Sequence, residues 1–123
     1  MDELKIKVKP DMLVDDIIRM QLEVIQFASD LTWTIANARF YEAKLIGEAK
    51  GEYTRAFLTA EGSDRKRDAE AKANSKVRIA ESKAFEAEVT RKLLEDTKAD
   101  LVAIHYAAKA MLTDKTAEKR LGY

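Results

Sequence analysis

His105 is the only histidine in the chain, and histidine is the side chain best suited to move a proton or hold a divalent metal near neutral pH. It has no glutamate three residues before it and no second histidine four residues away, so the zinc-helix and di-iron bundle patterns are absent. A half-buried or surface histidine is the expectation. Ser63-Asp64-Arg65-Lys66 has the serine and lysine spacing of the penicillin-binding nucleophile motif, but its companion motifs are missing and the serine stands where a helix cap is needed. A phosphate-cradling loop needs a lysine directly after its last glycine, whereas Glu48 follows Gly47 and Glu52 follows Gly51. Asp96 and Asp100 share a face beside Lys92 and read as surface charge. With no cysteine, thiolate metal sites and disulfides are excluded. The chain is therefore expected to be no enzyme and to use no metal, no cofactor and no small-molecule substrate.

Binding is the chemistry that remains. Lys and Arg total 22 and so do Asp and Glu, which argues against wholesale attraction to polyanions. The charge is nevertheless uneven, because residues 64 to 83 hold seven bases and four acids. Within them Arg65, Lys72, Lys76 and Lys83 are spaced seven, four and seven, so one continuous helix would align them, with Arg67 nearby. Such a stripe could meet nucleic-acid phosphates or an acidic partner. The interleaved Asp64, Asp68, Glu70 and Glu81 suit a solvated face of weak ion pairs instead, and no aromatic lies there to stack a base.

The elements that position these groups are helical. Four glycines and one proline give too little punctuation for a many-turned β protein. After Pro10, Asp11 can cap a helix, and Asp15 and Asp16 suit the positive end of its dipole. Leu13, Ile17, Met20, Val24, Phe27 and Leu31 then alternate spacings of four and three, a heptad seam that loosens through Ile35, Ala38, Tyr41, Leu45, Ala49 and Tyr53. This predicts helix one over 11–61, roughly 70 Å long at 1.5 Å per residue, with a kink left open. Gly62 suits a reversal over 62–63, and Ser63 or Asp64 can cap helix two over 64–112. Its seam reads Ala69, Ala73, Val77, Ala80, Ala84, Ala87, Leu94, Leu101, Ala108 and Leu112. Thr113-Asp114 reads as a break before a tail over 113–123. A reversal at Gly62 would set opposite each other residues whose numbers sum to about 124. Ala43, Gly47 and Gly51, four apart, read as the place where the two helices approach closely.

Two further segments point to partners. Leu4, Ile6 and Val8 alternate with lysines and predict an extended arm over 1–10, lying on a helix or adding to the edge of a partner's sheet. Val14, Ile18, Leu22, Ile25 and Trp33 lie off the first seam, giving helix one more apolar width than a single partner helix covers. Ile18, Leu22, Ile25 and Trp33 are thus the expected protein interface, and a homo-oligomeric helical bundle is the expected assembly. The fold expected is all-α, a single domain forming a long, coiled-coil-like antiparallel hairpin. The start Met1-Asp2-Glu3 is unlike a signal peptide, and charges interrupt the longest apolar run, so a cytoplasmic protein without membrane contact is expected.

The stretch Tyr53-Thr-Arg-Ala-Phe-Leu-Thr-Ala-Glu-Gly-Ser-Asp-Arg-Lys-Arg-Asp-Ala-Glu-Ala-Lys-Ala73 resembles small helical-hairpin proteins of bacteriophage early and recombination regions. The likeness lies in a tyrosine and alanine helix end, a glycine turn, an Arg-Lys pair and an Ala-rich return helix, and extends over Arg39 to Met111. It implies an accessory factor of phage DNA metabolism that acts by binding in an infected or prophage-carrying bacterial cell. Two alternatives are an inhibitor of a host nuclease or defence complex and a structural coiled-coil component of an assembly.

Overall fold

The computed structural model describes residues 13–120, with side chains through Glu118. The arm residues Leu4, Ile6 and Val8 and the cap at Asp11 lie outside the described residues. Those described form three helices, α1 (Val14–Thr59), α2 (Asp64–Ala73) and α3 (Ser75–Arg120), with no strand among them.

Helix α1 runs unbroken for 46 residues. The Ile17 amide donates to the Leu13 carbonyl at 3.0 Å, and Asp15 and Asp16 occupy the first turn, where the dipole favours them. The hydroxyls of Thr32, Thr34, Thr54 and Thr59 each donate to the carbonyl four residues earlier, which satisfies these polar groups without leaving the helix. Past Thr59 the chain leaves the helix, and Gly62 takes φ +109°, a region that side chains with a Cβ avoid. Of the two candidate caps, Ser63 is the one used: its backbone is extended and its hydroxyl accepts from the Lys66 amide at 3.4 Å.

The expected second helix is two helices. Asn74 adopts an extended backbone, φ −63° and ψ 131°, and its side-chain oxygen accepts from the amides of Lys76 at 2.9 Å and Val77 at 3.4 Å. One asparagine thus closes α2 and caps α3, since its side chain replaces the carbonyl partners that a continuous helix would supply. The expected break at Thr113-Asp114 does not occur, and α3 continues to Arg120. Thr113 and Thr116 donate to the carbonyls of Lys109 and Leu112, and neither glycine nor proline is present there to stop the helix.

The tertiary contacts fall into two compact units, one reaching to Thr34 and resuming at Leu93, the other spanning Ile35–Lys92. In the first, Ile17, Val24 and Leu31 of α1 are buried, as are Thr97, Leu101 and Ala108 of α3. The Thr97 hydroxyl is satisfied by the Leu93 carbonyl at 2.9 Å. In the second, Ile35, Leu45 and Ala49 of α1 are buried, with Ala71 of α2 and Val77 and Ala87 of α3. Ile17, Val24, Val77 and Leu101 are the largest fully buried side chains, each contributing about 1.5–3 kcal/mol of transfer free energy.

The seam is narrower than its spacing suggests. Leu13, Phe27 and Tyr41 are exposed, so as far as Leu31 the seven-residue repeat Ile17, Val24, Leu31 carries the burial and the positions between do not, whereas beyond it Ile35 and Ala49 are buried as well as Leu45. In α2 the buried alanine is Ala71, whereas Ala69 and Ala73 face solvent, because the break at Asn74 resets the helical phase before Val77. Pairing within the second unit is displaced accordingly. Leu45 and Ile79 line one groove, as expected, but Ile46 lies with Phe85 and Glu42 pairs with Arg91, where a direct reversal would bring Arg78 and Ser82. The residues in excess are those of α2, which meets the end of α1 through Tyr53–Asp68 and Arg67–Ala60 contacts.

Candidate functional site

The basic residues 65 to 83 do not form one face. The break at Asn74 falls between Lys72 and Lys76, so Arg65, Arg67 and Lys72 belong to α2 while Lys76 and Lys83 belong to α3. Arg67 is half-buried: its Nε donates to the Ala60 carbonyl at 2.9 Å and its guanidinium lies 5.2 Å from the Phe57 ring centroid. It ties the α1 end to α2. Lys72 pairs with Asp68 at 3.0 Å. Lys76 and Lys83 are exposed along a groove that also holds Glu48 and Glu52, and Arg65 is exposed. Three cations with carboxylates beside two of them are a weak platform for a phosphate backbone, whose attraction grows with the number of phosphates neutralised.

The same corner contains the clearest electrostatic coupling. The Tyr53 hydroxyl donates to Asp68, which also receives Lys72. Hydrogen bonding from Tyr53 and then from Lys72 holds the Asp68 carboxyl below its ordinary value. The bond to Asp68, with desolvation and the carboxylate charge, pushes the Tyr53 phenol above its own. Further along, Arg91 donates to Glu42 between α3 and α1, with both side chains largely withdrawn from solvent. Lys92 meets Glu88 at 2.9 Å, and that hydrogen bond lowers the Glu88 carboxyl.

His105 lines an open groove of about 760 Å³ in the first unit with Gln21, Lys109, Leu112, Thr113, Thr116 and Ala117. Its Nδ1 is buried with no hydrogen-bond partner among the described residues, and its ring meets Tyr106 edge-on at 5.5 Å. Among the described residues no carboxylate lines this groove to orient the imidazole, and no group of acids and histidines could hold a metal ion.

The apolar residues singled out by sequence are brought together. Ile18, Leu22, Ile25 and Trp33 are all exposed on α1, on a stripe with Val14 and turned away from the buried Ile17, Val24 and Leu31. Trp33 is 76 % exposed. Sequence reasoning missed how far the stripe runs. At the same three-and-four spacing follow Ala36, Phe40, Ala43, Gly47, Gly51, Thr54 and Leu58, every one exposed and none charged. Gly47 and Gly51 do not bring α1 close to another helix of this chain, because a Cβ added to either would meet nothing within 4 Å. They belong to the open face, so the expected close approach is corrected. The unbroken absence of charge at thirteen positions was the available signal.

No protein-family model, curated protein or solved structure matches this chain. None of the described helices is long and apolar enough to cross a membrane.

Proposed function

We propose that this chain is a helical-hairpin interaction protein that works by binding other proteins and performs no catalysis. In this reading it is an accessory factor of bacteriophage DNA metabolism acting in the cytoplasm of a bacterial cell. The observation that carries the binding role is the exposed, uncharged stripe of α1 centred on Ile18, Leu22, Ile25 and Trp33. An apolar surface of that length is uncommon on a monomer and marks an interaction site. A charge-free line along one helix face also fits the groove-and-helix mode of recognition, in which side chains at three-and-four spacing are the anchors. DNA contact is a secondary element of the reading, resting on the exposed Arg65, Lys76 and Lys83.

The test is capture of partners from bacterial lysate by the immobilised chain, beside a Leu22→Glu variant whose helicity is verified by circular dichroism. The expected result is a discrete partner retained by the parent chain and lost with Leu22→Glu. Equal retention by both would remove the stripe from the function. A gel shift with single- and double-stranded DNA at low and high salt tests the secondary element, for which binding only at low salt is expected.

A further inference from the structure

The stripe on α1 has two halves of opposite shape. From Val14 to Trp33 it is made of large side chains, Val14, Ile18, Leu22, Ile25 and Trp33, interrupted only by Ser29. From Ala36 to Leu58 it is mostly small, with Ala36 before Phe40 and Ala43, Gly47, Gly51 and Thr54 between Phe40 and Leu58. Its positions lie nearly symmetrically about Ala36, each within one residue of a position equally far on the other side. Val14, Ile25, Ala36, Gly47 and Leu58 recur every eleven residues, a period of about 3.67 per turn, close to that of a straight helix.

We infer that the occupant of this face is a second copy of the chain, with α1 packed on α1 antiparallel about a twofold axis at Ala36. This inference rests on the binding role proposed above and names the partner of that same stripe. In this alignment Ile25 faces Gly47 of the second copy, Leu22 faces Gly51, Ile18 faces Thr54, Val14 faces Leu58, and Trp33 lies beside Phe40. Large side chains thus enter the holes left by the glycines, where a Cβ now meets nothing. A parallel alignment sets each residue against its own number. Gly47 on Gly47 and Trp33 on Trp33 would then demand two very different helix separations along one interface.

Charge and area support the same partner. One flank of the stripe carries Asp15, Asp16, Arg19 and Asp30 toward its start and Lys44, Glu52 and Arg55 toward its end. Antiparallel packing brings Asp15 and Asp16 near Arg55, Arg19 near Glu52, and Asp30 near Lys44, against two like pairs on that flank, Glu23 with Glu48 and Arg19 with Arg55. Glu52 already pairs with Arg55 at 2.9 Å, so Arg19 of the second copy would extend an existing ion pair. The seven large apolar side chains of the stripe are 42–77 % exposed. They present on the order of 800 Å² of apolar surface, about what each partner buries in a stable interface.

The chain has no native cysteine, so single cysteines report the alignment without background. Under mild oxidation Ala36→Cys is expected to cross-link with itself. Ile25→Cys alone and Gly47→Cys alone should stay uncross-linked, while their mixture yields a covalent heterodimer, because a disulfide needs Cα atoms within about 7 Å. Self-cross-linking of Ile25→Cys in place of the mixed product would overturn the antiparallel alignment. Filling the holes with Gly47→Leu and Gly51→Leu should keep or raise helicity while weakening the dimer about 100-fold in sedimentation equilibrium, the scale of two overpacked contacts. Unchanged association would overturn the inference, and so would a parent chain that sediments as a monomer. The binding role stands apart from this result: a monomeric parent chain whose lysate partner is lost with Leu22→Glu keeps the role and rejects the second copy as occupant.

Discussion

Ile17 and Ile18 are adjacent and chemically identical, yet Ile17 is 0 % exposed and Ile18 is 42 % exposed. They open the two faces of α1. Along one run Ile17, Val24, Leu31 and Leu45, all buried; along the other run Ile18, Leu22, Ile25 and Trp33, all exposed. Apolar content does not separate the faces, since both offer large aliphatic side chains at helical spacing. What separates them is supply: one partner helix covers a stripe of roughly 100°, and α1 carries two such stripes. The covered face also holds the polar links, Glu42–Arg91 and Tyr53–Asp68, whereas the open face carries no charge at all. A helix face closed within the chain holds polar contacts that fix its pairing, while on the uncharged open face selectivity is left to shape and to the charges along its flank.

This contrast can be broken most forcefully by equal truncations on the two sides. Leu101→Ala, at a fully buried position, is expected to cost about 2–5 kcal/mol in chemical denaturation. The same change at the exposed Leu22, measured at a dilution where the chain is monomeric, should stay within about 0.5 kcal/mol. Comparable losses would mean that the open face is already covered in the single chain.

A smaller effect is expected at the break between α2 and α3. Asn74→Ala removes the oxygen that caps α3 and should cost about 1–2 kcal/mol, read from the denaturation midpoint. If stability instead rises along with helical ellipticity, α2 and α3 fuse, and the phase reset that buries Ala71 is dispensable.

On the open face one substitution should stabilise. Gly47→Ala adds a methyl to empty space inside a helix and is expected to gain about 0.5–1 kcal/mol under dilute conditions. A loss there would place another part of the same chain against Gly47.

The smallest effect is the pH dependence carried by Tyr53 and Asp68. The Asp68 carboxyl is lowered from 3.8 in the folded chain, so its contribution is present above that value and is lost as pH falls through the lower folded value. The Tyr53 phenol is raised from 10.0, so its contribution is present below that value and is lost as pH rises through the raised one. The linkage is therefore whole between about pH 4 and 10. Tyr53→Phe should flatten the alkaline limb of a stability-against-pH curve, while an unchanged limb would show that the phenol is not coupled to the carboxylate.

Much of this organisation is legible in the residues. The long α1, the positive φ at Gly62, the cap at Ser63, the repeat Ile17, Val24, Leu31 and the exposed Ile18, Leu22, Ile25 and Trp33 all follow from spacing and cap chemistry. Asn74 was not legible, because asparagine inside an alanine-rich run costs a helix only tenths of a kcal/mol against alanine, while its capping gain appears only once the chain turns. Ala69 and Ala71 could not be ranked, since alanine suits either face and the phase is set by that same break. Thr113-Asp114 misled because a threonine bonded to the carbonyl four residues back costs the helix little. Gly47 and Gly51 carry the same pattern whether they face a helix of their own chain or an outside partner, and only the space around them decides.

The chain has one tryptophan, and it lies in the open face. Its fluorescence therefore reports directly whether that face becomes covered. With rising protein concentration the Trp33 emission maximum should move to shorter wavelength in the parent chain and stay fixed in Leu22→Glu. An emission maximum that stays red and independent of concentration in the parent chain would contradict burial of this face by a second copy.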